Sequence, residues 1–204
     1  MVKSFTELFE LTRSLAGVDR FTADETEDIK RFINRRLYEA YSASQMWTSY
    51  LVVGEARDFT TGTQTVPAVD PNGVKQTIAE FQRIHKTQPF INNSAYEYDF
   101  YVDSNGANVL NLQDSSSTGV FVTYKKQFTD FNEASTDIPI EFFYFGAHSA
   151  YADFLRMDGQ TGKAFEEENK ASQYLATELE KLDVISNNNF VRRKFSTYVS
   201  TQSR

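Results

Sequence analysis

The side chains able to do acid–base or metal chemistry in this chain are few and far apart. There are two histidines and no cysteine. Without cysteine there is no thiolate nucleophile, no disulfide framework and no cysteine-ligated zinc. His85 lies in Arg-Ile-His-Lys, at what reads as a strand end, and His148 lies in a helix beside Tyr151. Asp153 follows His148 by five positions, the wrong spacing for a shared helical face. Asp103, Asn105 and Asn108, with Gly106 between, faintly resemble a calcium loop but lack the acidic ligand that closes one, so a tight hairpin accounts for them better. Asp24/Glu25 and Glu166/Glu167/Glu168 fall on faces predicted to be solvated, where carboxylates serve the helix dipole and solubility. No phosphate loop, nucleophile elbow, zincin helix or dinucleotide fingerprint occurs. These residues predict no enzyme, no cofactor and no metal.

A different chemistry, that of docking, is suggested near the C-terminus. The formal net charge is −7. Residues 184–204 contain Arg192, Arg193, Lys194 and Arg204 and no acid, so this segment carries +4 and the remainder −11. An acidic body repels nucleic acid, whose binders neutralise phosphates with basic patches. Phe190, Phe195 and Tyr198 flank the basic run. Aromatic anchors with arginine clamps suit an acidic protein partner; single-stranded nucleic acid or a solvated tail are the competing uses.

The elements that would position these groups read in order. Residues 4–16 predict a short helix with a Ser4/Glu7 capping box, ended by Gly17. Residues 22–47 predict a long helix, capped by Thr22 with Glu25, whose Ile29, Phe32, Ile33, Leu37, Ala40 and Tyr41 recur at helical spacing. Arg31, Arg35 and Arg36 fall on its other faces. From 50 to 130 the pattern turns to short alternating or β-branched runs with Gly, Pro and Asn punctuation, which predicts a small antiparallel sandwich or barrel. Residues 137–157 return to helix, with Asp137 as cap and Pro139 in the first turn, and Asp158-Gly159 as the stop. A last helix spans 160–182, with a stripe of Phe165, Glu168, Ser172, Leu175, Leu179 and Leu182. Beyond Asp183 the periodicity lapses, so 184–204 reads as an extended arm. The fold class is therefore α+β: a helical base from 1–50 and 136–183, a β insertion over 51–135, and the arm. The amino terminus lacks a signal-peptide pattern, and no apolar run approaches the length of a membrane span.

Within 138–159, IPIEFFYFGAHSAYADFLRMDG, aromatics crowd the first half and small residues the middle. Phe142, Phe143 and Phe145 would fill the base. Gly146, Ala147 and Ala150 would admit a close neighbouring helix, from the same chain or from the next subunit of an assembly.

Four stretches in this order resemble the head-to-tail adaptor (connector) proteins of tailed bacteriophages, of the short-tailed type. They are SFTELFELTRSL, DIKRFINRRLYEAYSASQMW, the β-rich middle ending in FVTYKK, and IPIEFFYFGAHSAYADFLRMDGQTGKAF with the helix after it. The match covers about residues 4–182. The resemblance implies a helical base with a projecting β insertion, in a usually dodecameric ring beneath the portal vertex. That ring extends the DNA channel and offers a platform to tail nozzle or fibre proteins. It implies a virion protein assembled in the host cytoplasm, with genomic DNA passing through unbound. By position and character, the basic segment matches the part that reaches the portal in relatives. The acidic body fits a channel wall that does not hold DNA.

Other readings stay open from sequence. Another neck or tail ring component (nozzle, knob or head-completion protein) shares the ring logic. A ligand-binding module would instead display Tyr96, Tyr98, Tyr101 and Tyr124 together on one exposed sheet face.

Overall fold

The computed structural model describes the backbone of residues 2–58, 65–87, 97–113 and 119–202; within these, side chains are described from 3 to 183. The chain forms two units. One is made of residues 1–44 and 130–204, the other of the contiguous stretch 45–129.

The first unit is helical. Helix α1 (Phe5–Ala16) starts at Ser4, whose hydroxyl accepts from the Glu7 amide while the Glu7 carboxylate accepts from the Ser4 amide. It stops at Gly17, in the left-handed region at φ 68. Helix α2 (Ala23–Ser42) opens on the same reciprocal device at Thr22 and Glu25. It ends five residues before the predicted Trp47. Trp47 is buried all the same, with its carbonyl accepting from the amides of Tyr50 and Leu51 in a turn.

Helix α3 (Ile140–Met157) is the centre of the unit. It packs against α1, α2 and α4. Its buried residues run nearly all round it, from Phe142 and Phe143 to Phe154 and Leu155, as a helix with neighbours on several sides requires. The predicted start is corrected. Asp137 caps nothing, because Ile138–Pro139 form a strand, β8, pairing antiparallel with β1 (Val2–Lys3). Pro139 takes the N-cap position without a side-chain hydrogen bond. The ladder to β1 holds residues 138 and 139 extended and so delays the helix.

Helix α4 (Thr161–Gln202) has 42 residues, about 63 Å at 1.5 Å per residue. The predicted extended arm over 184–204 is corrected by this element, whose backbone is helical to Gln202. No Gly or Pro follows Gly162, so nothing breaks the ladder. The Asn and Ser residues of 186–189 cost only tenths of a kcal/mol each, roughly, against alanine. The predicted stripe holds at Glu168, Leu175, Leu179 and Leu182, which are half-buried, and fails at its first member and at Ser172, which is exposed. Phe165 is exposed, while Ala164 and Ala171 are fully buried. Small residues allow the helix to approach α3, and that approach sets its rotation in place of the largest apolar side chain.

The second unit holds two three-stranded antiparallel sheets. β2 (Leu51–Arg57), β7 (Val120–Lys126) and β4 (Ile78–His85) form one, in the order β2-β7-β4. β3 (Thr65–Pro67), β6 (Asn108–Leu112) and β5 (Tyr98–Val102) form the other, in the order β3-β6-β5. Val66, Leu110 and Leu112 of the second sheet share one core with Ile78, Ile84, Val122 and Tyr124 of the first. This is the expected sandwich. The Ser-Asn-Gly hairpin is present, with Gly106 at φ 80. The Asp103 carboxylate accepts from the amides of Asn105 and Ala107 at 2.8 and 2.9 Å, so it serves the turn.

Candidate functional site

The stripe at the middle of α3 meets its own chain. A Cβ added to Gly146 would lie 2.9 Å from Leu37 Cδ2 of α2 and 3.6 Å from Leu8 Cδ2 of α1. Ala147 and Ala150 are fully buried, as is Phe142, and Phe143 and Phe145 are nearly so. The bare patch is thus the seat of α1 and α2, and the bulk of Phe142 fills the core beside it.

One turn further along α3, Asp153 carries the densest charge cluster of the unit. Its side chain is 6% exposed, and Arg36 is 13% exposed. Arg36 donates from Nε to Oδ2 at 2.7 Å and from Nη2 to Oδ1 at 2.6 Å. Arg35 donates to Oδ2 at 2.6 Å and Arg156 to Oδ1 at 3.1 Å. Arg156 and Arg36 also engage Glu168 of α4, and Arg36 bonds Glu39. Burial pushes the Asp153 carboxyl up, but the hydrogen bonds from Arg36 and Arg35 outweigh it and hold the group below its ordinary value. The cluster locks α2, α3 and α4 together. Arg36 is therefore not a surface decoration of α2, and Glu168 is not merely solvated. Sequence reasoning passed over Asp153 by testing it only against His148. An acid inside an otherwise apolar, tightly packed helix was the available signal.

Next to this cluster in sequence, Asn34 acts on the backbone. Its amide nitrogen donates to the Phe131 carbonyl at 2.9 Å, and its oxygen accepts from the Phe131 amide at 2.8 Å. One side chain thereby copies a strand partner and pins residue 131 to α2. The groove alongside, about 890 Å³, is lined by Lys30, Arg31, Arg35 and Tyr38 on one side and Asp130 to Ala134 on the other. Several of its charges are paired within it or nearby: Lys30 with Glu27 and Glu133, Arg31 with Asp28.

His148 finds a partner that its own helix could not provide. Its Nδ1 lies 2.7 Å from Glu167 Oε2 on α4, and its ring stacks on Tyr174, which also stacks on Tyr144. Glu167 is half-buried here, which corrects its predicted place on the solvated face. Burial raises its carboxyl and the hydrogen bonds from Lys170 and His148 more than offset that.

In the β unit, Arg57 is buried and donates to Glu55 at 3.2 Å, to the Pro67 carbonyl at 3.3 Å and to the Tyr124 hydroxyl at 3.2 Å. Tyr124 in turn donates to Glu55 at 2.6 Å. Burial, and then Glu55, push the phenol up to about 12. Tyr124 is thus a core residue. Tyr101 is exposed, Tyr98 packs against the core, and Tyr96 lies outside the described residues. Tyr98, Tyr101 and Tyr124 do not make one exposed platform.

His85 closes β4, as the sequence predicts, and is 3% exposed with no hydrogen-bond partner for Nδ1. Burial, and then the neighbouring Arg83, hold its pKa below the ordinary 6.5. The unfolded chain therefore binds a proton more readily than the fold does. Stability from this site is complete above 6.5 and falls as pH drops below it. Thermal melts across that range are expected to show a drop in midpoint that His85→Phe reduces; an equal drop in the variant would assign it elsewhere.

Among the described residues, no group of three or more His, Asp or Glu is placed to hold a metal ion, and no helix is long and apolar enough to cross a membrane. The side chains of the predicted docking segment, Phe190, Arg192, Arg193, Lys194, Phe195 and Tyr198, lie outside the described residues; their backbone is part of α4. A scan against models of protein families and a search of curated proteins both return no match.

Proposed function

We propose that the chain is a structural virion protein: a head-to-tail adaptor that forms a ring under the portal, lengthens the DNA channel and gives the tail its platform. The observation that carries this reading is the junction of the resembling stretches. Asn34, Arg35 and Arg36 of the FINRR stretch grip Phe131, at the exit of the β unit, and Asp153 of the AYADFL stretch. The stretches that carry the resemblance are the same ones that tie the helical unit together across more than a hundred residues.

Helix α4 supplies the second support. Its first part, Thr161–Asp183, holds six acids and three lysines, and its remainder to Gln202 holds Arg192, Arg193 and Lys194 with no acid. A helix of this length carries its basic end far from the acidic start, as a portal-docking element must.

Light scattering on the protein alone and mixed with the cognate portal ring tests the proposal. The expected result is a stoichiometric ring-on-ring complex that truncation of 186–204 abolishes while leaving the protein folded. Failure of the intact protein to join the portal overturns the adaptor reading. Normal joining by the truncated protein overturns the docking role of the basic end.

A further inference from the structure

The sandwich leaves four strand edges among its described residues, and three are blunted. β2 carries a register break between Val52 and Glu55, with Gly54 at φ 65. β4 carries two breaks, between Ile78 and Glu80 and between Phe81 and Arg83. β3 ends in Pro67, which has no N–H and whose carbonyl is already taken by Arg57. Bulges and proline are among the usual protections against strand-to-strand association.

β5 has none of them. Tyr98–Val102 pairs with β6 in unbroken register. It contains no proline, glycine or lysine. Phe100, Tyr101 and Val102 are 44%, 42% and 59% exposed, so both faces of the strand show apolar or aromatic surface. Its outer edge has no strand partner among the described residues.

We propose that this edge is an interaction surface for a second copy of the chain, β5 pairing antiparallel with β5 of its partner about a two-fold axis. Two observations select that occupant. The other described edges are blunted, so within a second copy β5 is the strand competent to pair. The sequence Tyr-Asp-Phe-Tyr-Val is also self-complementary at full overlap. Phe100 then faces Phe100, Tyr98 faces Val102, and Asp99 faces Tyr101, whose hydroxyl can donate to the carboxylate. The two Asp99 side chains sit on a diagonal, roughly 7–8 Å apart, and not opposite each other. A two-fold contact uses up both edges and stops at two copies, so it also prevents open-ended growth. One strand pair is small beside the roughly 1,200–2,000 Å² of a stable interface, so the dimer is expected to form in a concentration-dependent way. This inference does not depend on the adaptor reading.

The 204-residue chain is measured by light scattering over a concentration series, with Phe100→Lys and Tyr101→Lys beside it. The wild type is expected to rise from 23.4 kDa toward twice that mass. Phe100→Lys sets two lysines directly opposite each other and is expected to stay monomeric. Tyr101→Lys sets a lysine against Asp99 and is expected to keep the dimer. A wild type that remains monomeric overturns the proposal, and so does an assembly of any size that Phe100→Lys leaves intact. Should Phe100→Lys fail to fold by circular dichroism, hydrogen exchange on the wild type decides. Protection of residues 98–102 that grows with concentration supports the pairing, and protection independent of concentration refutes it.

Discussion

Asp153→Asn is expected to destabilise the helical unit by about 3–5 kcal/mol, read as a lower urea midpoint at unchanged slope. The replacement keeps the shape and removes the charge. Both oxygens of Asp153 are in use, and Arg36 grips them side-on at 2.6 and 2.7 Å. Asparagine would offer a donor where a guanidinium already donates, leaving Arg36, itself largely buried, without its counter-ion. Arg35 is 55% exposed and Arg156 39%, so water partly compensates those two, and the lower end of the range is the better expectation. Removing both charges is a different matter. Buried pairs replaced by apolar residues of similar size often cost little, so Asp153→Leu with Arg36→Met should lose less than Asp153→Asn alone. A double variant as damaged as the single one would mean that packing, not charge, sets the loss.

The same site has a pH signature. The Asp153 carboxyl is held below its ordinary 3.8 in the fold. Its contribution is therefore complete above that value and is lost as pH falls through it toward the lower folded value. The gap between wild type and Asp153→Asn should be constant near neutrality and close in acid. A gap that persists in acid would show that the charge was not responsible.

Gly146→Leu is expected to cost the helical unit at least about 3 kcal/mol, at or beyond the upper end for overpacking a core. A single added carbon would already stand 2.9 Å from Leu37 Cδ2, and leucine adds four. Neither neighbour can withdraw easily, because Leu37 and Leu8 are both fully buried. Gly146→Ala is the graded control. Leu37 must shift for it by a few tenths of an ångström, against the helix propensity that alanine gains over glycine. Calorimetry on the three proteins should order them wild type or alanine first and leucine far below. An unchanged melting temperature for the leucine variant would show that this face of α3 is open.

These two sites mark where the sequence was legible and where it was not. Helix starts were local and therefore readable: Ser4 with Glu7 and Thr22 with Glu25 each satisfy their own first-turn amides. The hairpin at Asp103–Gly106 and the antiparallel strands around it were readable for the same reason, since alternation and turn residues act over a few positions. The small residues of α3 announced a close neighbour.

What no local signal contained was the identity and phase of the partners. Whether Gly146 served α2 or another subunit depended on where Leu37 came to rest. The rotation of α4 followed Ala164 and Ala171 once α3 was beside it, and it exposed Phe165. Asp153 became a structural centre only when three arginines from two helices reached it, and His148 met Glu167 across a helix pair. Tyr124 changed from a platform candidate to a core residue when the second sheet covered it. The sequence by itself determined most element types, their order and the α+β class, because those depend on propensity, capping and period along the chain; the exceptions are the C-terminal end of α4, read as extended, and the β1–β8 ladder. The tertiary structure alone decided which charges are paired and which aromatics are buried, because those depend on residues far apart in sequence that packing brings within a few ångströms.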